Sequence, residues 1–177
     1  MRRALDLLFD AAGAIGALLI LSIFLLMLYG SAGRMAGLHV GGVNDVVAWC
    51  TAAASFFAMA HAFKHGDFVR VTLLLDRLDA RARRLLETVS LAIAGAAVAY
   101  LAWWAMRFTY ESWQFKEMSG GLVVIPIWIP QLSFVIGSLL FVLAVLDELL
   151  IVLRGGKPTY VRLVEERHAR GDYSEDV

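Results

Sequence analysis

The chain reads as an all-α membrane protein: four transmembrane helices, N-in/C-in, with an amphipathic in-plane helix between spans two and three. Three observations predict this class. Hydrophobic residues fill 60% of the 177 positions and charged residues 18%, with a mean hydropathy of +0.70, a balance foreign to soluble domains. Four stretches contain no Asp, Glu, Lys or Arg: residues 11–33, 46–63, 88–106 and 118–146. Finally, the net charge is zero, yet the basic residues between those stretches are very unevenly placed.

The uncharged stretches are 23, 18, 19 and 29 residues long. At about 1.5 Å per residue, 18 to 23 helical residues reach roughly 27–35 Å, enough to cross a hydrocarbon core of about 30 Å. Lipid offers no partner to a backbone amide, and the period-two alternation of barrel strands is absent, so the spans are helices. Two of the Lys and Arg residues precede span one, one follows it, six lie between spans two and three, two between three and four, and five after four. Cationic loops stay on the cytoplasmic side, so both termini are expected inside, which leaves thirteen basic residues within and three outside. The loop over residues 64–87 dominates this count with Lys64, Arg70, Arg77, Arg81, Arg83 and Arg84.

Span one follows Arg2 and Arg3. Its uncharged run is longer than a signal-peptide core, and Asp6 and Asp10 interrupt the approach, so it reads as an uncleaved first helix. Leu5, Leu8, Phe9 and Ala12 share a helical face and predict a short interfacial lead-in. Glycines 33, 37, 41 and 42 mark an outer loop. Asn44 or Asp45 is the expected cap of the second helix. Tyr29, Trp49, Trp103, Trp104, Tyr110 and Trp113 gather near the outer boundary, where half-wet rings are favoured.

Span two ends at residues 61–64, and Gly66–Asp67 reads as a break. Beyond it Val71, Leu74, Leu75, Leu78, Ala82, Leu85, Leu86 and Val89 recur at spacings of three and four, with arginines and aspartates elsewhere. That pattern predicts a helix lying in the inner leaflet, its basic residues Arg70, Arg77, Arg81, Arg83 and Arg84 at the membrane surface. The last span starts with SGGLVVIPIWIPQ. Prolines in mid-bilayer free carbonyls, whereas first-turn amides need no partner, so this helix is expected to start near Pro126 and run to about Leu146. Residues 1–155 form the transmembrane domain and residues 156–177 a polar cytoplasmic tail.

Chemistry-bearing constellations are few. His61 and His65 are four apart at a helix end, no other span contains a histidine, and no metal or haem is expected there. No acid or base falls within a span away from its ends; Glu111, Glu117, Asp147 and Glu148 lie at boundaries, where water, headgroups and nearby arginines are their expected partners. Cys50 is the one cysteine, which excludes an intrachain disulfide. Nothing resembles a phosphate loop, a nucleophile arrangement or zinc spacing. The chain is equipped as a packing partner and not as an enzyme; a membrane anchor of a redox complex and a self-contained four-span exporter are the competing classes.

Several residues together resemble one family. Arg34 follows span one, Asp45 and Trp49 open span two, and AFKHGDFVRVTLLLDRL, with Gly66 and Asp67, follows it. GGLVVIPIWIPQLSFVIGSLL then supplies Gly121, Pro126, Trp128 and Gly137. This pattern is similar to the small integral-membrane subunit, the DctQ type, of tripartite ATP-independent periplasmic (TRAP) transporters. The resemblance implies a subunit without cofactors that scaffolds a large membrane subunit in the bacterial inner membrane. A periplasmic solute-binding protein delivers the solute, expected to be a carboxylate, and an ion gradient drives uptake. Phospholipid surrounds the complex and nucleic acid plays no part. The matching residues are the expected partner-facing or family-motif positions, and Gly13, Gly16, Gly95 and Gly137 are expected to allow close helix approach.

Overall fold

In a computed structural model of the chain, residues 2–65, 79–156 and 159 are described. Four helices account for most of them: α1 (Arg2–Met35), α2 (Val43–His65), α3 (Ala80–Gln114) and α4 (Trp128–Leu153). All four are long and apolar enough to cross a membrane. Among the described residues there is no strand, only an isolated bridge between Met118 and Pro126. The chain is a multi-pass, all-α membrane protein.

The helices stand in a row. Extensive packing joins α1 to α2, α2 to α4 and α4 to α3, which gives the spatial order α1–α2–α4–α3. Small residues set the close approaches. A Cβ at Gly16 would touch Ala58, one at Gly30 would touch Val43, and one at Gly95 would touch Val145. These pairings make α1 antiparallel to α2 and α3 antiparallel to α4, while α2 and α4 run in the same direction. The two short connections, 36–42 and 115–127, lie at one end of the row, the loop end. The starts of α1 and α3 and the finishes of α2 and α4 lie at the other, the tail end.

The core is thin. Phe9, Ala60, Phe63, Leu91, Ala144, Val145 and Val152 form its buried cluster, with Leu5, Leu140 and Phe141 packed against it. Most large apolar side chains face outward, including Leu18, Phe24, Ile93 and Leu143. Tyr29, Trp103, Trp104, Tyr110 and Trp113 are likewise exposed, so these rings do not fill the core.

Three boundaries differ from the sequence-based expectation. The apolar face of Leu5, Phe9 and Ala12 is no interfacial lead-in. It belongs to a continuous α1, where Phe9 and Ala12 are buried and Leu8 points outward. In the expected in-plane segment, Asp79 caps a new helix by accepting the Ala82 N–H at 3.1 Å. From Ala80 onward the chain is therefore already α3, continuous with the third span, while residues 66–78 lie outside the described residues. The last helix starts at Trp128, close to the expected Pro126, with Pro130 in its first turn where a missing amide costs no helical bond, but it runs on to Leu153 instead of ending near Leu146.

Candidate functional site

The polar chemistry of the described residues is concentrated along one seam, where α2 meets α4. At the loop end Asp45 stands in the first turn of α2. Its carboxylate does not cap that helix; its Oδ2 accepts the Val123 N–H at 3.1 Å. The segment before α4 is folded to meet it. Ser119 N–H donates to Ile125 O (2.8 Å) and Ile127 N–H to Glu117 O (3.0 Å), closing a small hairpin, while the Ser119 hydroxyl bonds the Val123 carbonyl inside it. Gly121 passes so close that a Cβ there would collide with the Asp45 carboxylate. Gly42, at φ +80°, leaves no room for a Cβ beside Val123. The glycines of both connections thus serve one tight junction.

Behind this hairpin, buried Ser112 donates its hydroxyl to Glu117 Oε2 (2.8 Å) and accepts Gln131 Nε2–H (3.2 Å), tying α3 to α4. Trp113, Lys116, Met118, Pro126 and Trp128 line a shallow groove of about 540 Å³. Halfway along the seam, Gly137 is buried against the Cβ and backbone of Phe56, and the Phe56 ring meets Phe134 edge-on at 4.3 Å.

At the tail end the sequence-based expectation fails. Asp147 and Glu148 were expected at a boundary among water and headgroups. Instead α4 continues to Leu153, and Glu148 is fully buried. Its Oε1 accepts Lys64 Nζ at 2.9 Å, its Oε2 accepts the Thr159 N–H at 2.9 Å, and Lys64 also donates to Asp147. Lys64 is itself only 6% exposed and lies 5.7 Å from the Phe9 ring centroid. Charges this far from water persist when each is paired and hydrogen-bonded, which is the arrangement here. Arg84 closes the same end by donating to the carbonyls of Val152 (3.3 Å) and Leu153 (3.2 Å), where the negative pole of α4 emerges.

The expected positions fall into distinct places. Asp45 and Gly121 are brought together; Pro126 and Trp128 share the groove; Gly137 lies mid-seam. Arg34 is exposed at the end of α1, and Trp49 is half-buried one turn into α2. Arg83 pairs with Glu87 at 3.3 Å, Arg81 is exposed, and Arg84 is engaged by α4. Gly66, Asp67, Arg70 and Arg77 lie outside the described residues. Lys64, Asp147 and Glu148 went unrecognised in the sequence, although opposite charges at the matching ends of two spans were the available signal.

Compared with known proteins, the chain matches the sequence model of one family, described as Tripartite ATP-independent periplasmic transporters, DctQ component, over residues 23–155. No curated protein matches the chain.

Proposed function

The chain belongs to the DctQ component family of tripartite ATP-independent periplasmic transporters, and on that premise we propose that it braces the large permease subunit in the bacterial inner membrane. Members of the family are the small membrane subunit of these transporters. The observation that carries the bracing role is the row. Four helices in single file enclose no interior, so they offer no path of their own for a solute. They present two broad apolar faces, one suited to lipid and the other to a larger helical partner. Among the described residues, the ionic groups Lys64, Asp147 and Glu148 are engaged with one another and not turned toward a solute.

In this reading both termini face the cytoplasm, which the distribution of basic residues supports. The loop end, with its aromatic rim and the Asp45–Gly121 junction, then faces the periplasm, where a solute-binding protein delivers its cargo, a carboxylate, to the large subunit. Basic residues around the start of α3 meet anionic headgroups. Uptake draws on an ion gradient across the membrane, used by the large subunit.

The test is purification in nanodiscs with native partners present, together with transport in cells lacking this chain. A complex with a many-span permease, and loss of uptake on deletion, is expected. Recovery of this chain alone together with undiminished uptake refutes the proposal. For orientation, an impermeant thiol reagent should label a cysteine placed at Met35 or Leu38 from outside intact cells, and labelling only after lysis refutes the N-in arrangement.

A further inference from the structure

Outside the seam, one cluster joins α1 to α2 near the tail end. His61 and His65 are one turn apart on α2, and Asp10 of α1 faces both. Asp10 Oδ1 lies 3.5 Å from His65 Nε2 and 3.8 Å from His61 Nδ1. One potential ligand atom from each of the three residues lies within 4.8 Å of the others. Two imidazoles and a carboxylate make a donor set suited to borderline divalent transition metals, Zn²⁺ foremost, and poorly suited to the hard ions Na⁺, Mg²⁺ and Ca²⁺. We infer that Asp10, His61 and His65 form a divalent transition-metal site that clamps α1 onto α2.

The placement of the two rings suits an ion. His65 Nδ1 lies 3.0 Å from the His61 carbonyl, and a carbonyl only accepts, so the ring donates through Nδ1 and turns Nε2 toward Asp10. Fixing one ring nitrogen on a backbone carbonyl is the usual support of a histidine that binds metal through the other. Two ligands on a tetrahedral zinc, each about 2.0–2.1 Å from the metal, stand about 3.3 Å apart, near the 3.5 Å observed. His61 is also held, since its Nδ1 lies 3.0 Å from the Phe9 carbonyl. Gly13 leaves the space that this ring fills, because a Cβ there would collide with it. The three side chains are 34–57% exposed, so an ion reaches them from water and water completes the coordination.

The experiment uses the full chain, purified without a polyhistidine tag, stripped with chelator and placed in nanodiscs. Zn²⁺ is titrated calorimetrically, and Co²⁺ is added as a spectroscopic probe. One Zn²⁺ per chain at micromolar affinity or tighter is expected, with Co²⁺ giving the visible bands of a tetrahedral site. Binding should weaken at least tenfold in Asp10→Asn and in His65→Gln, and Zn²⁺ should raise the melting temperature of the parent chain but not of either variant. His39 and His168 are retained in every sample and set the background. If Zn²⁺ binds no more tightly to the parent than to the His61→Ala/His65→Ala chain, the inference is wrong and the cluster is only an imidazolium–carboxylate contact. Asp10→Asn removes an exposed carboxylate, so it keeps the test decisive if the histidine variants fold poorly.

Discussion

Lys64→Met is the sharpest probe of how the row is held together. The substitution keeps an unbranched apolar stem and removes only the ammonium. Among the described residues Glu148 then keeps only the Thr159 N–H as a partner while fully buried, and Asp147 loses the Lys64 cation. Removing one partner of a buried ion pair costs about 3–5 kcal/mol, because the stranded charge keeps its desolvation penalty. Lys64 and Glu148 are 7% and 0% exposed at the side chain, so little of that figure is lost to water. A loss of ~3–4 kcal/mol lowers the folded-to-unfolded ratio about a hundred- to a thousandfold. Glu148→Gln alone should cost less, about 1–3 kcal/mol, since Lys64 keeps Asp147 and the amide keeps an acceptor. In the double variant the stranded charge is gone, and the two losses should fall short of their sum by ~1–3 kcal/mol. Unfolding in mixed micelles by added dodecyl sulfate, followed by tryptophan fluorescence, reads these differences. A cost below ~1 kcal/mol for Lys64→Met, or strict additivity in the double variant, would show that water reaches these groups and that the seam is not held by them.

The loop-end junction gives a second cycle. Asp45→Ala should cost about 1–2 kcal/mol by orphaning the Val123 N–H, and Gly121→Ala about 1–3 kcal/mol by forcing a methyl onto the carboxylate. Because the obstruction is Asp45 itself, the double variant should regain most of the Gly121→Ala loss; a melting temperature at the sum of the two refutes the contact. Gly137→Ala should cost a similar ~1–3 kcal/mol. Phe56→Ala should not rescue it, since the atoms in the way are the Cβ and backbone of Phe56, and rescue would show the ring to be the obstacle. Arg84→Ala should cost about 0.5–1 kcal/mol and speed amide exchange in the last turn of α4, whereas unchanged exchange there would mean that the two carbonyls are satisfied without it.

The spans were legible because each needs only a long uncharged run, a property local to the chain. The start of α4 was legible too, since Pro130 can occupy few places in a membrane helix. What escaped was pairing across distance. Lys64 and Glu148 are 84 positions apart, and each reads locally as the polar end of a span. Only the parallel course of α2 and α4 places them at one depth. The lead-in reading of Leu5, Phe9 and Ala12 failed for a related reason: periodicity shows that a face is apolar but not whether lipid or another helix covers it. Likewise the apolar period from Val71 to Val89 carries no mark of where α3 starts. The Asp79 cap does, and an aspartate within an arginine-rich run is easily taken for part of a polar face. The same blindness to pairing hid Asp10 from His61 and His65, which sit 51 and 55 positions away along the chain.

The parallel seam also explains why the polar contacts lie where they do. Antiparallel neighbours, such as α1 with α2 and α3 with α4, have opposed dipoles and can rely on small residues and close packing. Parallel neighbours bring like poles together: two positive ends at the loop end of α2 and α4, and two negative ends at the tail end. In low dielectric that arrangement needs compensating charge. Asp45 supplies a negative group among the positive poles. Lys64 and Arg84 supply positive groups among the negative ones, with Asp147 and Glu148 fixing the lysine in place. The seam is thus joined at its loop end, at the Gly137–Phe56 crossing and at its tail end. Exchanging Lys64 with Glu148 in an Asp147→Asn chain, so that no third charge is at stake, keeps the pair but puts the wrong sign at the end of α2. If the dipoles matter, the exchanged chain should be less stable than the Asp147→Asn chain although its ion pair is intact; equal stability in the dodecyl sulfate titration would reduce the cluster to a simple salt bridge.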